Sequence, residues 1–259
     1  MKNKQFIFLR NDDVRNSLDI ELIDLTKTCI DLNIPISHAV EPANVTEEVV
    51  KWLLEEKRKY PELIEIIQHG YDHNKENPSV KMEFGGMRDY SDQLVSIKAG
   101  KELMDSYFDG HWSPVFTFPY GTYNHDTLKA VDAAGYKAIS GKISYSTKNI
   151  LKNTAGKLLG KNFLLNKKIS YHGSKRRDFS FSELSVSANL IKKYIDDKKA
   201  EHYDLNEILD QVVISSKYSN VTGILFHHRF HTYQMEMIKK LLTTLKEHYS
   251  YSTIMGLLR

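Results

Sequence analysis

Short apolar runs alternate with amphipathic stretches along the first two-thirds of the chain. Residues 5–9 read as a buried strand. Across 17–32, Leu18, Leu22, Leu25 and Cys29 recur at helical spacing, with Ser17 as a candidate cap. Residues 34–40 are strand-like, and Asn44 with Glu47 forms a candidate capping pair for a helix that Pro61 stops. A third strand is expected at 63–67, a helix at 91–108 and a fourth strand at 114–118. Asn124 then caps a short helix that Gly135 ends, before a fifth strand at 136–139. Helices at 181–198, 204–216 and 233–248 and a buried strand at 222–226 complete the pattern. This rhythm predicts an α/β fold in which helices surround a parallel sheet or barrel. We expect one domain over 1–259.

One stretch breaks the rhythm. Between 141 and 178 lie ten Lys and Arg residues, from Lys142 to Arg177, with few acids. The stretch reads as a solvated excursion or, more sharply, as a basic lip over an anionic substrate. The whole chain is balanced: 36 Lys+Arg against 33 Asp+Glu give a net charge of +3. That excludes an electrostatic nucleic-acid binder with its basic stripe. A hydrophobic fraction of 41% is enough to fill a core. The lone Cys29 excludes an internal disulfide and a Cys-rich zinc site, so metal chemistry must come from His and carboxylate. No apolar run approaches the roughly 20 residues of a membrane span. The four-residue run Phe6 to Leu9 is too short for the core of a secretory signal. The expected location is therefore the cytoplasm.

Polar residues collect where the expected strands end. Strand one runs into Arg10-Asn11-Asp12-Asp13, strand two into Ser37-His38 and Glu41, and strand three into His69-Gly70-Tyr71-Asp72-His73. Strand four runs into Thr117-Phe118-Pro119-Tyr120-Gly121, and the late strand into His227-His228-Arg229. In a parallel barrel these points converge on one rim, where such barrels carry their active sites. Neighbouring carboxylates at a strand end diverge, so Asp12 and Asp13 can divide metal binding and proton handling. His69 and His73 are four apart, a spacing that on a helical turn brings two imidazoles to one ion. One Asp with two His leaves coordination positions open, as in a catalytic metal site. His227, at the mouth of a buried strand, suits a general acid.

Asp12-Asp13, His69-x-x-x-His73, Phe118-Pro119-Tyr120-Gly121, Gly135-Tyr136 and Leu225-Phe226-His227 stand in an order that resembles NodB-type polysaccharide deacetylases, carbohydrate esterase family 4. The resemblance spans about 6–257. With His69-Gly70-Tyr71-Asp72-His73 and His227-His228-Arg229, the chain looks most like a branch tied to surface-polysaccharide biosynthesis. The resemblance implies a distorted (β/α) barrel of about seven parallel strands and a divalent metal, usually zinc. It implies Asp13, His69 and His73 as metal ligands, Asp12 as base, His227 as acid and the backbone N–H of Tyr120 in the oxyanion hole. The substrate would be an N-acetyl sugar, free or linked to a nucleotide or lipid. Arg10, His38, Arg88, Pro119, His228 and Arg229 are its expected contacts.

The chain departs from the family in two places. Thr117 stands where the family's third motif usually begins with an Arg that holds the base, leaving Arg10, Arg88 or Arg229 as substitutes. The fourth motif, with an Asp and a Trp, has no match after Ile139. These gaps define an alternative, a catalytically weak carbohydrate-binding barrel that retains the metal site. Two His and a carboxylate also suit a non-haem iron oxygenase, but the β-α alternation disfavours the all-β core of those enzymes.

Overall fold

The structure, a computed structural model, describes residues 4–74, 80–196 and 199–258. Met1 and Lys2 at the N-terminus, and Lys198 at the end of one expected helix, lie outside them. The main sheet contains β1 (Phe6–Asn16), β2 (Ile36–Val45), β3 (Ile64–His69), β4 (Val115–Thr117) and β5 (Ala138–Ser140), followed by β6 (Ser174–Lys175), β7 (Ser182–Glu183), β8 (Val186–Asn189), β9 (Val221–Phe226) and β10 (Ser250–Tyr251). The helices are α1 (Ile20–Asp31), α2 (Glu47–Lys59), α3 (Tyr90–Phe108), α4 (His125–Ala133), α5 (Thr147–Leu158), α6 (Leu205–Ser216) and α7 (Met235–Lys246).

The strands are ordered β8-β9-β1-β2-β3-β4-β5-β7-β6. The curl is closed by one continuous run. Residues 182–189 first follow β5, through Leu184 N–H to Ile139 O (3.0 Å) and Val186 N–H to Gly141 O (3.0 Å). They then pair in parallel with β9, Ala188 opposite Ile224. The result is a distorted barrel of seven parallel strands, β1 to β5, the 182–189 run and β9. An antiparallel β6 lies at one edge, and β10 lies alongside the start of β1.

Strand periodicity places one side chain of each barrel strand inside. Phe8, Ala39, Ile67, Val115, Ala138, Leu184 and Leu225 form one buried cluster. Phe8 fits because its partner strand carries Gly223, where an added Cβ would lie 2.3 Å from the Phe8 ring. Ile7, Leu9 and their like face outward onto the helices. There α7 buries Ile238, Leu241, Leu242 and Leu245, and α1 buries Leu22, Leu25, Thr26 and Cys29, both at the helical period.

Some expected elements are corrected. Within the expected helix at 181–198, residues 182–194 are extended rather than helical. Leu184, Val186, Ala188 and Leu190 alternate with Ser185, Ser187 and Asn189, which is a strand period with the apolar face buried. Thr46, not Asn44, precedes α2, because the Asn44 amide instead donates to Glu41 (2.8 Å) and to Asp72 O (2.8 Å). Asp19, not Ser17, begins α1, and the Ser17 hydroxyl donates to it (2.7 Å). The Asn124 capping box forms as expected. The basic excursion is partly folded inward. It contains α5 and a short hairpin, and its Arg176 is wholly buried against Glu183.

Candidate active site

β1 builds the first half of the site. Its pairing with β2 shifts register between Asn11 and Val14, and Asp13 sits there at φ 60°. Such a bulge re-aims side chains, and the neighbouring acids separate accordingly. Arg10 and Asp12, two apart, lie together. The Arg10 guanidinium grips both Asp12 oxygens, Nε to Oδ1 and Nη2 to Oδ2, each at 2.8 Å. Its Nη1 is spent on Ser140 O (2.6 Å), Ser140 Oγ (2.9 Å) and Gly141 O (3.3 Å) at the end of β5. Both partners are nearly inaccessible, Arg10 4% and Asp12 3% exposed. Of the three arginines that could replace the missing third-motif arginine, Arg10 is the one that holds Asp12. It therefore faces Asp12 rather than open space.

Asp13 turns the other way. Its Oδ1 lies 3.2 Å from His69 Nε2 and 3.4 Å from His73 Nε2. Burial pushes the Asp13 carboxyl up, but hydrogen bonds from both imidazoles and the proximity of His227 outweigh it and hold the group well below the ordinary carboxylate range. His69 is held above its ordinary value. Burial opposes this, and Asp12 and Asp13 overcome it.

The two histidines meet through a loop, not through the helical turn the spacing suggested. His69 ends β3, and the chain doubles back through positive φ at Gly70 (58°), His73 (60°) and Asn74 (56°). Gly70 is required twice, by its φ and by space. A Cβ there would lie 2.4 Å from Pro119 Cγ and 2.4 Å from Glu83 Oε2. Buried Glu83 organises this loop by accepting the backbone N–H groups of Tyr71 (2.7 Å), Asp72 (3.3 Å) and His73 (3.0 Å). Burial raises Glu83 to about 8, with those amides working to lower it.

Thr117 has a task of its own. Its hydroxyl donates to Gln68 O (3.0 Å), so at 2.6 Å from His69 Nδ1 it must accept that ring's N–H. Nδ1 thereby keeps its proton, and Nε2, which faces Asp13, donates to that carboxylate when the ring is protonated and has a lone pair for a cation when it is neutral.

The Asp13, His69 and His73 donor atoms lie within 4.8 Å of one another, the one such group among the described residues. One carboxylate and two oriented imidazoles are donors suited to zinc. Bonds of about 2.0–2.1 Å in a tetrahedron set ligand atoms about 3.3 Å apart, which is the spacing Asp13 keeps from both imidazoles. The residues fit a divalent cation.

Around this cluster stand His227 and Tyr120. Burial lowers His227 against the pull of Asp13 and Asp12. The Tyr194 hydroxyl lies 3.2 Å from His227 Nδ1. Tyr120, at φ 56°, packs against His73 with ring centroids 4.2 Å apart and the planes tilted by 49°, and its hydroxyl donates to His73 O (3.2 Å).

The other residues expected at the rim turn into the protein. His38 is wholly buried between Asn11 (3.2 Å) and Thr26 (3.2 Å). His228 is buried beside Asn11 and Asp19. Arg229 pairs with Asp19 (2.9 Å) and donates to Arg15 O (2.7 Å). Arg88 donates to Glu83 O (2.7 Å), Asp92 O (3.0 Å) and Ser96 Oγ (2.7 Å), and so pins its loop to α3. Pro119 is buried against Gly70. Glu83, Thr117 and Tyr194 were not singled out for these tasks from the sequence, because their partners lie 10 to 48 positions away.

No family model matches the chain, nor does any curated protein. Solved structures do. A family 4 acetyl xylan esterase from Clostridium thermocellum, in complex with a cobalt ion, superimposes with TM-score 0.60 at 12% identity, over 98% of this chain and 90% of that one. The fold is that of the carbohydrate esterase family 4 barrels. The Xyl-CE4 domain of a xylanase from the hindgut metagenome of Trinervitermes trinervoides gives 0.57 at 11%, over 99% and 90%. A CE4 family pseudoenzyme from Bacillus anthracis gives 0.55 at 14%, over 99% and 66%. At these identities the likeness concerns the fold. No helix of the described residues is long and apolar enough to cross a membrane.

Proposed function

We propose that the protein is a metal-dependent hydrolase that removes the N-acetyl group of an acetamido sugar or sugar-containing precursor in surface-polysaccharide biosynthesis. The observation that carries this reading is the pairing of two functions on one bulge. Asp13 faces His69 and His73, while Asp12 is gripped by Arg10 beside them. A divalent cation held by Asp13, His69 and His73, zinc in our reading, would polarise the amide carbonyl and make a water molecule acidic near neutral pH.

The chain's own residues then have distinct tasks. Asp12 takes the proton of the attacking water as base, oriented by Arg10. The Tyr120 backbone N–H contributes to the oxyanion hole, where one donor is worth roughly 3 kcal/mol. His227 gives a proton to the departing amine, with Tyr194 against its ring. The branch-like motifs at His69–His73 and His227–Arg229 support a biosynthetic setting in the cytoplasm, with a nucleotide-linked, lipid-linked or free sugar as substrate. Arg10 in place of the missing third-motif arginine favours this reading over the catalytically weak barrel.

The test is acetate release from a panel of acetamido sugars by zinc-loaded protein. Release should vanish with Asp13→Ala, along with bound metal. No release from any sugar, with metal-free and loaded protein behaving alike, would refute the proposal.

A further inference from the structure

A cavity of about 460 Å³ opens in the basic excursion. Four lysines line it, Lys142, Lys152, Lys167 and Lys168, with Asn149 and Tyr123 among the remaining walls and no Asp or Glu. Among the described residues none of the four is paired with a carboxylate, whereas Lys192, on the short strand Ile191–Tyr194, has both Glu201 and Glu207. The positive charge is uncompensated and mutually repulsive. Burial, and then Arg176 and Lys152, lower Lys168 to about 8. Burial lowers Lys152 with help from Lys167, and Lys142 with help from Arg10. Lys168 is fixed in place all the same. Its ammonium lies 4.1 Å from the centroid of the Tyr123 ring and donates to Gly121 O.

Two covalent neighbours tie this cavity to the rim. Gly121 follows Tyr120, and Lys142 follows Gly141, whose carbonyl accepts from Arg10. Clustered ammonium groups without counter-charge, walled by protein, are arranged to receive an anion of two or more charges. We propose that the cavity holds the phosphate or diphosphate of a phosphorylated acetamido sugar whose acyl group lies at the Asp13–His69–His73 rim. This rests on the hydrolase reading above and narrows its substrate class to sugars carrying phosphate.

Pyrophosphate binding by calorimetry reads the cavity without any turnover. The full chain is compared with Lys142→Gln/Lys152→Gln/Lys168→Gln, which leaves the side chains of Asp12, Asp13, His69, His73 and His227 unaltered. Affinity should fall at least tenfold, and the matching triple Lys→Arg variant should restore most of it. Relief of repulsion predicts that the Gln variant melts no lower than the parent. Equal affinity within twofold in parent and Gln variant would overturn the cavity.

The same proteins are then assayed for acetate release. The preference in kcat/KM for N-acetylglucosamine 1-phosphate over N-acetylglucosamine should collapse tenfold or more in the Gln variant. UDP-N-acetylglucosamine against a polyprenyl-diphosphate N-acetylglucosamine in micelles distinguishes a nucleotide carrier from a lipid one. Lysine-dependent pyrophosphate binding with no acetate release from any sugar would remove the hydrolase reading, and with it the assignment of the anion to substrate. Acetate release with no preference for phosphate would remove the cavity's role and leave the hydrolase.

Discussion

Two buried arginine–carboxylate pairs sit in this barrel, and they differ in what the carboxylate has left over. Glu183, 1% exposed, has every oxygen engaged. Oε1 accepts the hydroxyls of Ser170 (2.5 Å) and Ser185 (2.7 Å), and Oε2 accepts Arg176 Nε (2.9 Å) and the Tyr171 N–H (2.9 Å). Asp12 receives one hydrogen bond per oxygen, both from Arg10, and nothing else among the described residues. Its remaining lone pairs are free, next to the Asp13–His69–His73 cluster. The same chemical pair is a structural pin when saturated and a candidate base when it is not. The contrast makes opposite predictions for the two acids.

Asp12→Asn should cut kcat per folded molecule by about 10²–10⁴-fold, the range of lost general-base catalysis, while metal content holds and the buried Arg10 charge it leaves lowers stability as well. Steady-state kinetics with metal analysis checks this. A variant that keeps its rate would leave Asp12 as inert as Glu183. The second pair should respond in the other currency. Arg176→Met strands the Glu183 charge in a dry site, which costs about 3–5 kcal/mol of stability. Urea denaturation reads that loss, and kcat on a neutral acetamido sugar should stay within about twofold per folded molecule. If Arg176→Met cost under about 1 kcal/mol, the excursion would be the solvated appendage its composition first suggests.

Legibility in the sequence follows the same division between local and distant contacts. The β-α rhythm and the outer helix faces rest on periodicity; residue types at strand ends point to Asp12, Asp13, His69 and His73, and the division of Asp13 from Asp12 rests on the family resemblance. Arg10 stands among three open candidates in the sequence, with Arg88 and Arg229, and it is the folded chain that pairs it with Asp12, two positions along the same strand. The 181–198 stretch was misread although Leu184 to Leu190 alternate strictly, because Ile191-Lys192-Lys193-Tyr194 extends the apolar count into a helix-like length. Glu83, Thr117 and Tyr194 act through loop closure and strand order, which no local pattern encodes. The burial of Arg176 in a run of ten cations was likewise invisible, since only the 182–189 run brings Glu183 to it.

Thr117 sharpens the comparison on the metal side, where Asp13 rather than Asp12 is at issue. Thr117→Val keeps the shape and removes the oxygen that accepts His69 Nδ1–H. The ring is then free to adopt either tautomer, one of which offers no Nε2 lone pair to a cation. Loss of such an outer partner costs about 10–100-fold in metal affinity. Competition against a chelating indicator measures it. Thr117→Ser, which restores the acceptor, should recover most of the affinity. Equal affinity in the Val variant would mean that packing alone orients His69.

The smallest effect lies beneath the bulge. His38 is wholly buried, and burial, then His228, hold its pKa at about 3. The Thr26 hydroxyl donates to Leu22 O (2.6 Å), so it accepts His38 Nε2–H, and Nδ1 accepts from the Asn11 amide (3.2 Å). The folded ring has no place for a second proton. The unfolded chain takes one below its ordinary value of about 6.5. Between about pH 6.5 and about pH 3 the unfolded state therefore binds more protons, and stability falls as pH falls, by at most about 1.4 kcal/mol per pH unit from this group. Other buried histidines and carboxylates add slopes of their own, so the decisive measurement is a difference. His38→Gln keeps one donor and one acceptor and cannot titrate. Its urea-derived stability at pH 4, 5 and 6 should decline less steeply than the parent's, by the slope of one proton. Parallel declines would show that the folded protein accommodates charge at His38, and that the floor under Asp12 and Asp13 is wetter than its hydrogen bonds indicate.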